Sequence, residues 1–220
     1  MLRCLLPLCV LAVASSACAQ TPPATRDGPT GADLASALVS GPIPPFRPAL
    51  PPQVQVREQT RTYAVHGSSD AEILASIRAA SPIRSSGVDG RALDAYTSWR
   101  IEWRYALARQ GGECRFRTVT VRADLTTTLW DWTPPRDASP ALVADWQDRA
   151  RRLRQHEAGH TNYALLGARD VFRALRPMRA ASCDALRDQA DAEGQRILDL
   201  VRAANRRYDE HTQHGTVEPG

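Results

Sequence analysis

The sequence predicts an α+β domain in which a small antiparallel sheet is followed by two long helices. In the segment Trp99–Leu107, apolar and polar residues largely alternate, which is typical of a half-buried strand. Between Leu142 and Leu175, apolar residues recur at intervals of three and four, which is typical of one face of a helix. Strands followed by helices indicate an α+β architecture, and 220 residues fit one domain with additional segments.

The charged residues exclude several classes of function. All 28 basic residues are arginines, and the absence of lysine excludes a Schiff-base lysine, a P-loop lysine and a catalytic lysine dyad. The net charge is only +4, and the arginines are interleaved with Asp and Glu, which argues against a nucleic-acid partner. With 43% hydrophobic and 24% charged residues, the composition is that of an ordinary soluble globular protein.

Residues 1–19 have the organisation of a signal peptide. Arg3 gives a positive start, the apolar run Cys4–Ala14 follows, and small residues precede a cleavage site after residue 19. The apolar run is too short to span a bilayer, and no later segment approaches the necessary length. We therefore expect a secreted or periplasmic protein without a membrane span. In an alternative interpretation, Cys18 becomes the attachment point of a lipid anchor.

Residues 20–55 are predicted to form a disordered linker, because nine prolines lie between Thr21 and Pro52. The folded domain is expected to comprise residues 56–216, and residues 217–220 form a short tail. We expect this domain to be a monomer.

Four extended segments are predicted in the first half of the domain: Arg61–Val65, Trp99–Leu107, Cys114–Val121 and Thr126–Trp132. Gly111 and Gly112 provide a turn that makes the second and third segments antiparallel neighbours. A short helix follows the first segment, since Ser69 and Glu72 form a capping box at its start.

Two long helices are predicted in the second half. Ser139 caps the first, Pro140 occupies its first position, and the helix runs to about Leu175. The second runs from Ser182 to about Arg207. The remaining residues, 208–220, are polar and rich in turn formers, so we expect them to lie outside the helix.

The exported chain would keep two cysteines, Cys114 and Cys183. Neither has a neighbouring histidine or a CxxC partner, and two cysteines in an oxidising compartment most simply form a disulfide. This bond would tie the sheet to the second helix. In the loop-entropy model it would stabilise the fold by about 4 kcal/mol.

The predicted first long helix carries an HExxH motif formed by His156, Glu157 and His160. Histidines four residues apart lie on one helix face, so both imidazoles can bind one Zn²⁺ ion at about 2.0–2.1 Å. Glu157 is offset from the pair and suits a general base for a water molecule that zinc activates. Gly159 costs about 1 kcal/mol relative to alanine in a helix, which indicates a close approach by another element or by substrate.

A catalytic zinc requires a third protein ligand and an open fourth position. The residues after the motif depart from the metzincin pattern, because Tyr163 and Leu166 stand where that pattern has glycine and histidine. Glu193 on the second helix is one candidate ligand, in a thermolysin-like arrangement. The other candidates cluster in the tail: Asp209, His211 and His214.

The segment Tyr208–Gly215 fits the pattern YDxxTxHG, and with HExxH it resembles a family of predicted secreted bacterial zinc-dependent proteases of unknown function. The resemblance implies zinc at His156 and His160 with Glu157 as general base. It also implies a role for the tail motif, in which His214 is the expected third ligand.

The remaining residues of the tail motif have alternative roles. Asp209 either orients a ligand histidine as an outer-shell partner or replaces His214 as the ligand, and Glu193 is the other alternative ligand. Tyr208 either donates a hydrogen bond to the oxyanion of the reaction or anchors the tail.

The sequence therefore predicts a zincin-like, secreted zinc metallopeptidase that binds one Zn²⁺ ion and hydrolyses peptides or proteins. The predicted strand Trp99–Leu107 could bind an extended peptide by strand addition if it lies at the sheet edge. One alternative is a non-catalytic exported zinc-binding or envelope protein. Another is an enzyme with the same site that hydrolyses peptidoglycan.

Overall fold

A computed structural model describes residues 47–85 and 90–215. The predicted signal peptide, the possible lipidation site, most of the predicted linker and the final tail lie outside the described residues. The first strand begins at Val54, close to the predicted start of the domain at residue 56. Pro48 is buried just before it.

The sheet contains four described strands: β1 (Val54–Val65), β2 (Tyr96–Gln110), β3 (Glu113–Trp132) and β4 (Arg179–Ala180). Their order is β1-β3-β2, and the short β4 pairs with Cys114 and Arg115 at the start of β3. β2 and β4 are antiparallel to β3, but β1 is parallel to it. The prediction of an antiparallel sheet is thus wrong for β1, and β2 is an edge strand among the described residues.

β3 is longer than the sequence pattern indicates. The predicted strands Cys114–Val121 and Thr126–Trp132 are one continuous strand, because the intervening residues keep the alternation, with Ala123 buried between partly exposed Arg122 and Asp124 on the other face. β1 is longer too and starts seven residues before Arg61, since pairing with β3 extends through its charged residues. Both differences come from long-range pairing rather than local preference.

A bulge interrupts the pairing of β2 with β3. Leu107 lies opposite Phe116, whereas Ala106 lies opposite Thr118, so Arg117 has no partner on β2. An extra residue of this kind bends a strand and redirects its side chains.

The helices are α1 (Asp70–Ala80), α2 (Pro140–Leu175) and α3 (Cys183–Thr212). The predicted caps at Ser69 and Ser139 are confirmed, since their side chains accept hydrogen bonds from backbone N–H groups of the first turns, and Ser182 caps α3 in the same way. The predicted end of the last helix is wrong. α3 continues five residues beyond Arg207, and the tail motif begins inside it.

α2 and α3 pack against each other and against the sheet. Their shared core contains Val121, Leu165, Val171 and Val201, all fully buried. Gly167 of α2 allows the close approach of α3, because a Cβ there would lie 2.4 Å from Val201 Cγ2. Gly194 of α3 is similarly covered by the indole of Trp103.

A disulfide joins Cys114 of β3 to Cys183 at the start of α3, as predicted. It lies beside the β3–β4 pair, because Cys114 is opposite Ala180. No helix in residues 47–85 and 90–215 is long and apolar enough to cross a membrane.

Candidate metal centre

The two motif histidines lie near the middle of α2, on the side that faces α3. Only 4% of His156 and 8% of His160 is exposed. Their Nε2 atoms are 3.0 Å apart, because residues four apart in a helix project in nearly the same direction. The predicted pairing of these two side chains is therefore present in the structure.

Asp209 completes a three-residue group. Its Oδ1 lies 3.2 Å from His156 Nε2 and 3.0 Å from His160 Nε2. The continuation of α3 past Arg207 places this carboxylate opposite the HExxH face. His156, His160 and Asp209 thus form the group of His, Cys, Asp and Glu side chains that could hold a metal ion in the described part of the chain.

Asn205 fixes the orientation of His160. His160 Nδ1 lies 2.6 Å from Asn205 Oδ1, and Asn205 Nδ2 donates to the carbonyl oxygen of Val201 at 2.8 Å. Because the amide nitrogen is used in that bond, Asn205 Oδ1 accepts the proton of Nδ1. In the neutral imidazole, Nε2 then has the lone pair that a metal ligand requires, whereas in the protonated imidazole Nε2 donates to Asp209.

Thr212 has the same function for His156. The Thr212 hydroxyl donates to the carbonyl oxygen of Tyr208 at 2.7 Å, and its oxygen lies 3.1 Å from His156 Nδ1. A hydroxyl that donates elsewhere accepts from this nitrogen, so Nδ1 carries the proton and Nε2 faces Asp209. Each histidine is thus held by a polar side chain of α3.

Tyr208 packs between the helices. Its ring stacks on His156 with a centroid distance of 5.0 Å and meets His160 edge-on at 5.2 Å. The ring fills the space beside Gly159, where a Cβ would lie 2.4 Å from the hydroxyl oxygen. This contact is the close approach that Gly159 indicated, and burial raises the pKa of Tyr208 to about 12.

The end of α3 turns over His156. Gln213 and His214 both have positive φ angles, and the N–H of His214 donates to the carbonyl oxygen of Asp209 at 2.9 Å. Gly215 follows with φ of +80° and lies against His156, where a Cβ would be 3.0 Å from the imidazole. The glycine of the tail motif is therefore required both for its backbone conformation and for space.

Glu157 lies beside the histidine pair and is directed towards the sheet. It is 4% exposed, and its Oε2 accepts a hydrogen bond of 2.6 Å from the Thr97 hydroxyl of β2. The hydroxyls of Thr97 and Thr127 are 3.1 Å apart, so Thr127 donates to Thr97 when Thr97 donates to Glu157. Burial raises the pKa of the Glu157 carboxyl, against the attraction of His160 and the Thr97 hydrogen bond.

The carboxylate of Asp209 and the imidazole of His160 stabilise each other's charged forms. Burial alone would raise the pKa of Asp209, but hydrogen bonds from His156 and His160 hold it well below its usual range. Burial lowers the pKa of His160, yet the hydrogen bond and the charge of Asp209 outweigh that and raise it overall. A metal ion bound by these three side chains would replace the proton that lies between an imidazole Nε2 and the carboxylate of Asp209.

Two predicted ligands lie apart from this group. The side chain of His214 is 75% exposed, and its Nδ1 is 3.7 Å from Asp209 Oδ1. Asp209, the alternative ligand, therefore lies in the position that the sequence suggested for His214. Glu193 is sixteen residues before Asp209 on α3, about 24 Å along the axis, and pairs with Arg196 at 2.6 Å. The structure does not bring Glu193 to the site, and His211 is exposed.

Sequence reasoning missed three residues of the site: Asn205, Thr212 and Thr97. The first two were detectable in principle, because Asn205, Tyr208, Asp209 and Thr212 are spaced as one face of a helix. That signal depends on continuing α3 through the tail motif. Thr97 had no local signal, since its partner Glu157 is sixty residues away in the chain.

Comparison with known protein families identifies relatives of the domain. Residues 60–215 match the model of a family described as bacterial protein of unknown function (DUF922). No curated protein and no solved structure matches the chain. Because the matched residues cover more than half of the chain and contain the whole histidine and aspartate group, this chain belongs to the DUF922 family.

Proposed function

We propose that the chain is a zinc-dependent metallohydrolase, and specifically a peptidase. The observation that carries the proposal is the convergence of His156, His160 and Asp209 beside the buried carboxylate of Glu157. Two imidazoles and one carboxylate are the ligand types that catalytic zinc sites use, with a fourth position left for water or substrate.

The geometry of the group fits a small divalent cation. The three ligand atoms are 3.0–3.2 Å from one another, so one ion can lie about 2.0–2.1 Å from each of them. Both Nδ1 atoms already have acceptors on α3, which is the usual outer-shell arrangement of metal-binding histidines. When bound, Zn²⁺ supplies Lewis-acid chemistry, which lowers the pKa of a water molecule to about 7 and polarises a carbonyl group.

Glu157 is the proposed general base. Burial brings the pKa of Glu157 closer to neutral pH than the pKa of an exposed carboxyl. This suits a group that takes a proton and later returns it. Thr97 holds one carboxylate oxygen and leaves the other to accept the proton from water. The Thr97–Thr127 pair therefore positions the base.

The contacts of Tyr208 favour packing over direct action on substrate. Only 4% of the residue is exposed, and its ring lies against His156 and Gly159. His214 is more accessible, since most of its side chain faces solvent near Asp209. We assign Tyr208 to positioning of the ligands and His214 to hydrogen bonding with the substrate oxygen during reaction.

The position of β2 in the sheet supports an extended peptide as substrate. Among the described residues β2 is an edge strand, and its residue Thr97 contacts Glu157, so a peptide paired along this edge would pass the base. Peptides with N-methylated backbone amides should then have a raised KM with little change in kcat. Equal KM values for methylated and unmethylated peptides would contradict this binding mode.

The disulfide supports an oxidising compartment, which agrees with the signal peptide expected at the start of the chain. The order of sheet, motif helix and second helix also supports a zincin-like arrangement.

The experiment is metal analysis of the purified protein combined with hydrolysis of casein and peptidoglycan. We expect one zinc ion per chain and casein hydrolysis by wild type. Glu157→Gln should retain zinc but lose at least about 100-fold in kcat, because only the base is removed. Glu193→Gln is the matched control, since it makes the same change on a partly exposed carboxylate remote from the site and should retain both properties.

Two results would contradict the proposal. Zinc-loaded wild type that hydrolyses neither substrate would favour a non-catalytic zinc-binding protein. Full activity of Glu157→Gln would remove the base from the mechanism. If the protein hydrolyses peptidoglycan but not casein, it is a metallohydrolase whose substrate is peptidoglycan and not protein.

A further inference from the structure

Four arginines surround one cavity at the end of α2 that is remote from the metal centre. The cavity has a volume of about 540 Å³. It is lined by Arg115, Arg117, Arg176 and Arg179 together with Ala108, Phe116, Pro177 and Met178. We call it the arginine pocket. Arg176 follows His160 by sixteen residues, so the pocket lies about 24 Å along α2 from the site described above.

The charges of the arginine pocket are not compensated. Its lining contains no acidic residue. Ten arginines outside the pocket pair with acidic side chains: Arg47, Arg100, Arg122, Arg149, Arg151, Arg152, Arg169, Arg187, Arg196 and Arg202. Other exposed arginines, such as Arg57 and Arg104, have no acidic partner in the described part of the chain, so the pocket differs from them in bringing four such arginines to one cavity. Within residues 47–85 and 90–215, the four pocket arginines have no such partner and no side-chain hydrogen bond.

The fold holds two of these arginines directly opposite each other. Arg115 of β3 pairs in register with Arg179 of β4. Side chains opposite each other in an antiparallel pair are about 4.5–5.5 Å apart at Cβ, and like charges there are destabilising. The neighbouring pair contains Cys114, whose bond to Cys183 keeps β3 beside this part of the chain.

The other two arginines reach the pocket for different reasons. Arg117 is the extra residue of the bulge in β3, which directs its side chain away from the pairing with β2. Arg176 caps the C-terminus of α2, where a cation is stabilised by the helix dipole without any ligand. Arg176 alone would therefore indicate nothing, whereas the Arg115–Arg179 pair and the bulged Arg117 have no such local explanation.

We propose that the arginine pocket binds a phosphate group attached to an organic moiety. Guanidinium groups bind phosphate with paired hydrogen bonds, and a doubly charged phosphate neutralises this cluster better than a single carboxylate. Phe116 and Met178 give the pocket an apolar wall beside the charges, which suits the organic part. The phosphate belongs either to a soluble phosphate ester or to a phospholipid headgroup.

The test compares wild type with the double variant Arg115→Gln/Arg179→Gln. Calorimetric titrations at low salt use inorganic phosphate and phenyl phosphate, and sedimentation uses phosphatidylcholine vesicles with or without phosphatidylglycerol. We expect wild type to bind phenyl phosphate more tightly than inorganic phosphate, and the double variant to lose about tenfold or more in affinity. Binding of phenyl phosphate without vesicles identifies a soluble ester, and binding of the anionic vesicles identifies a headgroup.

The control is Arg57→Gln/Arg104→Gln, which removes the same charge from exposed positions of β1 and β2. It should bind as wild type does. Equal losses in both variants, or no binding by wild type to any of these probes, would overturn the proposal. Tight binding of a single-stranded oligonucleotide without binding of the small phosphates would also overturn it.

Stability gives a second measurement. In phosphate-free buffer, Arg115→Gln/Arg179→Gln should melt no lower than wild type, because the substitution removes a repulsion. A lower melting temperature would show that the arginines stabilise the fold itself, and the proposal would fail.

Discussion

The metal centre and the arginine pocket, which lie at opposite ends of the packed α2–α3 pair, differ in how their charged groups are paired. At the metal centre, each imidazole nitrogen of His156 and His160 has a partner within the chain, and Asp209 faces both rings. At the arginine pocket, guanidinium groups are brought together and left without acidic partners. The first arrangement prepares a place for a cation, and the second concentrates positive charge that only an anion can neutralise.

The two ends are also held by different means. Hydrogen bonds from the histidines to one face of α3 orient the imidazoles, whereas a covalent bond fixes the strands beside the arginines. The two ends should therefore respond separately to substitution.

Replacing both Cys114 and Cys183 by serine should have the largest effect on stability. The free energy of unfolding should fall by about 4 kcal/mol, because the unfolded chain regains the freedom of a long loop. Zinc affinity should change little, while affinity for phenyl phosphate should fall. Urea unfolding and the two titrations measure these quantities, and a parallel loss of zinc binding would show that the ends are coupled.

Replacing Asp209 by alanine should affect only the metal centre. Zinc affinity should fall by more than the roughly 10–100-fold typical for loss of an outer-shell partner, since a ligand is lost. Asp199→Ala is the control, because that exposed aspartate on the same helix pairs with Arg202. His214→Ala should retain zinc and lower kcat. Loss of zinc in His214→Ala but not in Asp209→Ala would restore His214 as the ligand.

Thr212 provides a more subtle test of the outer shell. Thr212→Val keeps the shape of the side chain but removes the acceptor for His156 Nδ1, so zinc affinity should fall about 10–100-fold. Thr212→Ser keeps the hydroxyl and should stay close to wild type. Competition with a chromogenic chelator measures both, and equal affinities would mean that the hydroxyl does not orient His156.

Gly159→Ala should have the smallest effect. The new methyl group would meet Tyr208, and overpacking of this kind costs about 1–3 kcal/mol, partly offset by about 1 kcal/mol of improved helix propensity. Because Tyr208 supports the ligands, zinc affinity should also decrease. Ala158→Gly, at the exposed preceding position, should lower stability by about 1 kcal/mol and leave zinc affinity unchanged.

Several features of the fold and of the metal centre could be predicted from the sequence. HExxH spacing alone brings His156 and His160 together, because helix geometry is local. The caps at Ser69 and Ser139 were equally local. The disulfide followed from counting cysteines, and its prediction needed only the assumption of an oxidising compartment.

The rest depended on contacts between distant residues. Tyr208, Asp209 and Thr212 are weak helix formers, so local preference ends the helix near Arg207. They are helical in the structure because Tyr208 and Thr212 are buried against α2. The direction of β1 had no local signal either, since parallel pairing with β3 joins residues more than sixty positions apart.

Three glycines in the two long helices give the fold a mechanical property. Tyr208 enters the space at Gly159, Val201 the space at Gly167, and Trp103 the space at Gly194. Sliding α3 by a single residue, about 1.5 Å, would drive these side chains into backbone atoms. The axial position of α3 is therefore set by side chains that occupy the spaces at these glycines, independently of the connection between the helices. Insertions in that connection should lengthen the loop and leave the distances between the metal ligands unchanged.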